Sequence, residues 1–297
     1  MPGGVRLGVL VPLVADLVVS PTFLAEFAGV AEDHGVESVW TPEHVVVAER
    51  YEARRPYSAV GRMVVRSTVP VPDPLEVLTF LAAHTRRVRL GSAVVVAPQG
   101  SPAVLARRAA TLDRLSGGRF MLGLGIGWQR EEYAEVGAAF AEQGGRLEDG
   151  IEAMRALWSG SSAAFDRVQS YPQPERGAIP IVLGGHSKAE VARAGRIADG
   201  WFPFAIDPAT FERRADLLRR SAEDAGRDPA SVEITVRPAS RPGAHDVAPE
   251  TDREWVSRYA AAGATRMVIQ PRVGPDGDLS SLAAQLDRCQ EHVLARL

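Results

Sequence analysis

The sequence predicts an α/β fold closed as a (β/α)8 TIM barrel, and three observations carry that prediction. Eight short apolar runs alternate with eight stretches of helical periodicity, the order that a parallel sheet requires. The runs are apolar at successive positions, as in Phe120-Met121-Leu122-Gly123-Leu124-Gly125-Ile126, and a strand hydrophobic on both faces belongs in a sheet covered by helices. Eight units fill 297 residues, the scale of one closed barrel rather than of an open doubly wound sheet, so a single domain over 1–297 is expected.

Each element has a local reason. Val5 to Val11 is the first strand, and Ser20-Pro21, a cap followed by Pro at the first helical position, opens a helix that Gly35 ends. Val36 to Trp40 is the second strand. The connection Thr41 to Val71 is rich in Arg, Pro and Tyr without periodicity, an insertion of the length that usually carries function. Asp73-Pro74-Leu75-Glu76 reads as a capping box opening a helix to about His84. Arg87 to Val96 is the third strand, and the helix from Ser101-Pro102 closes at Leu115, where Ser116-Gly117-Gly118 stops it. Phe120 to Ile126 is the fourth. Its glycines, with Gly127, bare one face at alternate positions, leaving space for neighbouring side chains or for a ligand ring.

From Glu131-Glu132 a helical region runs to Trp158 with a break expected near Gly144-Gly145, and a second insertion, Ser159 to Ala178, precedes the fifth strand, Ile179 to Leu183. Ser187 to Glu190 is another capping box. Asp199 to Pro203 is the sixth strand, Asp207-Pro208 caps a helix ending at Gly226, and Val232 to Val236 is the seventh strand, with its helix over Thr251 to Ala262. Thr265 to Gln270 is the eighth strand, and Leu279 to Leu297 the closing helix.

Composition narrows the function. With 45% hydrophobic and 24% charged residues the chain reads as an ordinary globular protein, and a net charge of −3 gives no footprint for nucleic acid or an acidic membrane surface. No apolar run is long enough to span a bilayer and no signal peptide is evident, so a cytoplasmic location is expected. The lone Cys289 excludes an internal disulfide and a cysteine-cluster metal site, and no His, Asp or Glu set has metal-ligand spacing.

A barrel of this kind keeps its chemistry at the carboxyl ends of its strands. Those ends are Glu43-His44, Ala93-Val94, Gly125-Gly127-Trp128-Gln129, Gly184-Gly185-His186-Ser187, Phe202-Pro203-Phe204, Arg237, and Gln270 with Arg272. Gly184-Gly185 before a capped helix is the best phosphate candidate: glycines admit close approach and helix N–H groups face the anion.

Several of these stretches resemble one family. Leu90-Gly91-Ser92-Ala93-Val94, then Ala109 to Phe120, Gly123 to Trp128, Pro180 to Gly185 and Ala198 to Trp201, are similar in order to the bacterial luciferase-like monooxygenase superfamily. Thr41-Pro42-Glu43-His44, with Tyr57-Ser58 and Pro70 to Pro74, resembles an actinobacterial branch identified with coenzyme F420-dependent oxidoreductases. The resemblance implies a flavin or 8-hydroxy-5-deazaflavin ring at the barrel mouth, against a bulge in the third strand with a non-prolyl cis peptide, here Ala93-Val94. It implies a small-molecule substrate and a homodimer. It also places a histidine, His44, beside the reactive face of the ring; imidazole titrates near working pH, and Glu43 is positioned to orient it.

The remaining candidates keep two readings each. Trp128 and Gln129 close over the cofactor and reach its polar edge, or Trp128 is core. Tyr51, Arg54, Arg55 and Tyr57 form a lid or a solvated loop. Arg237 and Arg272 pair with an acidic side chain or a polyglutamate cofactor tail, or form surface ion pairs. Related deazaflavin enzymes carry a hydroxyl and a lysine beyond the sixth strand where this chain has Phe204 and Asp207, a departure bearing on the cofactor tail. His34, His84, His245 and His292 read as structural. Three functions follow: an F420-dependent hydride-transfer enzyme, an FMN-dependent monooxygenase supplied by a reductase, or a cofactor-binding barrel without turnover.

Overall fold

The computed structural model describes residues 4–49, 51, 69–160, 169–241, 252–292 and 295. Eight parallel strands run in order round a closed barrel: Arg6–Leu10, Ser38–Thr41, Arg89–Ser92, Phe120–Gly125, Ile181–Gly184, Gly200–Phe202, Glu233–Pro238 and Arg266–Ile269. The last strand closes the ring, pairing Met267 with Leu7 on one side and with Val236 on the other. Right-handed crossover helices cover the outside, among them Pro21–Asp33, Pro74–His84, Pro102–Leu115 and Pro208–Asp224.

Alternation along the strands divides the apolar residues between two cores. Leu7, Val39, Leu122, Ile181, Trp201 and Met267 point outward into the layer shared with the helices. Leu10, Trp40, Met121, Val182, Phe202 and Val268 fill the barrel interior. Trp40 takes its interior space from Gly91, where any Cβ would overlap the indole ring. Below it the base is plugged by charge. The guanidinium of Arg266, fully buried, donates through Nε and Nη2 to both carboxylate oxygens of Glu37, at 2.6 and 2.7 Å, and through Nη1 to Thr235. Arg6 and Arg89 complete the network on Glu37 and Glu233. These partners hold the Glu37 carboxyl below its ordinary range in spite of burial.

Helix starts follow the expected chemistry. Ser20 accepts from Phe23 N–H, Asp207 from Thr210 N–H, and Ser187 with Glu190 forms a reciprocal capping box. At Asp73 the expected box is only half made. Asp73 accepts from the N–H groups of Leu75 and Glu76, but the Glu76 carboxylate takes Arg108 at 3.0 Å, a charged partner in reach from the next helix.

Two boundaries differ from expectation. The third strand is not continuous over 87–96: it ends at Ser92 and resumes as Val95–Val96 beside the fourth strand, and the interruption is the non-prolyl cis peptide Ala93-Val94, at the bond that the family resemblance implied. The helical region after the fourth strand breaks at 136–142, between Arg130–Glu135 and Gln143–Ser159. Gly144 and Gly145 lie inside the first turn of the second helix. The sharp turn falls instead at Glu142, whose backbone is left-handed (φ 61°). Arg54, Arg55, Tyr57 and His245 lie outside the described residues, as does most of the predicted lid.

Candidate active site

A cavity of about 490 Å³ opens at the carboxyl ends of the strands, inside the range of roughly 300–1,000 Å³ usual for small-molecule sites. Every one of the eight strands sends at least one wall residue to it, from Leu10 after the first to Gln270 after the eighth.

The third and fourth strands build one wall together. A Cβ on Gly123 would run into the carbonyl oxygen of Ser92, one on Gly125 would meet Val94 at 2.6 Å, and one on Gly184 would meet Val94 at 3.1 Å. The alternating glycines are thus a trough that receives the bulged third strand. Ser92 fastens it: its hydroxyl accepts from Gly123 N–H and donates to Gly123 C=O, both at 2.9 Å. Ala93 and Val94 are left facing the cavity.

Two titratable groups follow the second strand. Glu43 turns toward the third strand, where its carboxylate accepts from Val96 N–H at 2.6 Å. Burial, and then the negative charges of Asp73 and Glu132, raise its carboxyl to about 7 against the opposing Val96 bond and Arg108. His44 lines the cavity beside it, but its carboxylate partner is not Glu43. Its Nδ1 lies 3.4 Å from Oε2 of Glu132, which sits on the short helix after the fourth strand, while Oε1 of Glu132 accepts from Val45 N–H at 2.8 Å. Strand-end reading missed Glu132 because it lies beyond the strand end, in the first turn of the following helix; its only sequence signal was the acidic pair Glu131-Glu132 opening that helix.

The other predicted residues separate. Gly127 and Trp128 line the cavity, and Tyr51 meets Trp128 edge to face at 5.4 Å. Gln129 is fully buried with neither amide atom hydrogen-bonded among the described residues, and it lies outside the lining. Gly184 and Gly185 are in the wall, but His186 and Ser187 are not. The helix end expected to seat a phosphate already carries an anion: the Glu190 carboxylate packs against Gly185 and accepts from Ser187 N–H at 2.9 Å. Arg237 does face the cavity, with its guanidinium 4.6 Å from the Phe204 ring centre, whereas Arg272 lies outside the lining and its N–H donates to Gln285. Asp207 is spent as a helix cap. Ala205, in the same wall, is a non-glycine residue with left-handed backbone (φ 53°), a conformation that concentrates at binding sites.

The sequence model of the luciferase-like monooxygenases matches residues 7–281. The chain belongs to that family. Family members are oxidoreductases and monooxygenases, which fits a barrel with a cavity that gathers titratable groups at the strand ends. Phthiodiolone/phenolphthiodiolone dimycocerosates ketoreductase of Mycobacterium bovis BCG is 32% identical over 244 residues, covering 77% of this chain and 64% of that one. Among solved structures, the coenzyme F420-dependent tetrahydromethanopterin reductase of Methanopyrus kandleri superposes with a TM-score of 0.74 at 18% identity, over 99% of both chains. The oxygenating constituent of 3,6-diketocamphane monooxygenase from Pseudomonas putida, in complex with FMN, superposes with a TM-score of 0.75 at 14% identity, also over 99% of both. At those identities the two structures establish the barrel alone. No helix among the described residues is long and apolar enough to cross a membrane, and they contain no group of three or more His, Cys, Asp or Glu able to hold a metal ion.

Proposed function

We propose that the chain is a coenzyme F420-dependent oxidoreductase that moves a hydride between the coenzyme and a small organic substrate. The observation that carries this reading is the pairing of a glycine-cradled wall at Ala93-Val94 with two titratable groups, Glu43 and His44, on the adjoining strand end. A side chain at Gly125 or Gly184 would displace Val94 and so disturb the wall against which a planar ring would lie. Ala93, Val94, Gly125, Gly127 and Trp128 would hold the ring, and Arg237 at the rim would meet an anionic tail. Coenzyme F420, when bound, would supply the hydride acceptor or donor. In alcohol oxidation His44 would take the proton of the substrate hydroxyl, and in carbonyl reduction it would return that proton to the substrate oxygen. Glu43, titrating near neutrality, holds a second proton within the same mouth. The apolar walls, Leu10, Val11, Ile126 and Phe202 among them, exclude water from the reacting atoms. The ketoreductase relative, by its name, acts on a ketone, which belongs to the same carbonyl–alcohol chemistry.

The test is a titration of the full chain with coenzyme F420 and, separately, with FMN, followed by tryptophan quenching. Micromolar binding of F420 without FMN binding supports the proposal, and tight FMN binding moves the chain to the reductase-supplied monooxygenases. Binding of neither removes the cofactor assignment and leaves the barrel. With a substrate in hand, His44→Gln is expected to lower turnover by about 10²–10⁴-fold with F420 affinity retained. Unchanged turnover would refute the role of His44.

A further inference from the structure

We propose that Glu132 is the positioning residue of His44, fixing its neutral tautomer so that Nε2 meets the cavity as a proton acceptor. The geometry is specific. Glu132 comes from a helix 88 residues away along the chain, and its side chain is 1% exposed against 16% for His44. Its two oxygens face two different groups, the backbone N–H of Val45 at 2.8 Å and Nδ1 of His44 at 3.4 Å. A carboxylate accepts and does not donate, so the ring nitrogen turned toward it carries the hydrogen, and in the neutral imidazole the other nitrogen carries the lone pair. One residue thereby anchors both the loop that bears His44 and the ring itself. The same logic, a buried carboxylate choosing the tautomer of a catalytic imidazole, governs hydrolase triads.

The arrangement also explains why the residue is an acid. Both partners are donors, and only a carboxylate supplies two acceptor oxygens; a glutamine of the same shape supplies one. In Glu132→Gln the single amide oxygen goes to Val45, the shorter contact with a donor that has no alternative form. The NH2 group then faces Nδ1, which must accept. The ring answers by moving its hydrogen to Nε2, and the group presented to the cavity changes from acceptor to donor in a near-isosteric variant.

This inference deepens the reading of His44 as the proton-transfer group and rests on it for its functional meaning, but its test needs neither cofactor nor substrate. The full chain, labelled with ¹⁵N-histidine, is examined by long-range ¹H–¹⁵N correlation NMR at a pH where the imidazoles are neutral, with His44→Gln used to assign the signal. The expected result is an Nδ1–H tautomer for His44 in the wild type and Nε2–H in Glu132→Gln, with the His34 and His84 signals unmoved. An Nε2–H tautomer in the wild type overturns the proposal, and so does an unchanged tautomer in the variant. If the variant does not fold, the wild-type spectrum alone still decides. A correct tautomer with failed F420 binding would leave Glu132 in this role and sink the proposed function.

Discussion

Glu43 makes the stability of this barrel depend on pH in a direction opposite to that of most carboxylates. Its carboxyl is raised from the ordinary 4.5 to about 7, by burial first and by Asp73 and Glu132 after it. The folded state therefore binds the Glu43 proton more tightly than the unfolded chain does. The stabilisation is complete below about pH 4.5 and is lost as the pH rises through about 7. At about 1.36 kcal/mol per pH unit, the full rise is worth about 3 kcal/mol, and roughly 2–3 kcal/mol of it falls between pH 5 and pH 8. Glu43→Gln removes the titration while keeping an oxygen to accept from Val96 N–H. Urea unfolding of both proteins across that interval is the assay. The variant is expected to match the wild type near pH 5 and to exceed it in stability by about 2–3 kcal/mol at pH 8. Parallel stability curves over the whole interval would show that Glu43 is not a desolvated acid and would refute the reasoning.

Other perturbations separate the barrel base from the glycine trough. Arg266→Ala strands Glu37 without its bidentate partner and should cost about 3–5 kcal/mol, while Arg266→Met, which fills the space, should cost less; a loss under about 1 kcal/mol for alanine in urea unfolding would contradict the buried pairing. Gly123→Ala drives its methyl into the Ser92 carbonyl and should destabilise by at least about 3 kcal/mol. Gly150→Ala, on a helix face with only Pro102 nearby at 3.8 Å, should stabilise by up to about 1 kcal/mol. Equal thermal shifts for the two glycine variants would remove the argument for the trough.

The barrel was legible because its signals are local and repeated: eight apolar runs, each closed by a turn, and caps such as Ser20, Ser187 and Asp207 that act within three residues. The trough was half legible. Alternation of Gly123, Gly125 and Gly127 announced missing side chains, but what filled the space, Ser92, Val94 and Val96, depends on how the third strand lies against the fourth. Glu132 was not assigned because its partner is distant in the chain, and an acidic residue in a first helical turn has a sufficient local reason in the helix dipole. The phosphate expectation at Gly184-Gly185 met the converse problem: the same capping box that marks a free helix end in sequence fills that end with Glu190 in three dimensions.

The charged plug under Trp40 makes the barrel a vessel closed at its floor. The Arg266 guanidinium lies 5.8 Å from the centre of an indole ring, and both residues are fully buried. For the proposed function this has a kinetic consequence: a coenzyme ring lying against Ala93 and Val94 would bind before a substrate placed above it and would leave after it.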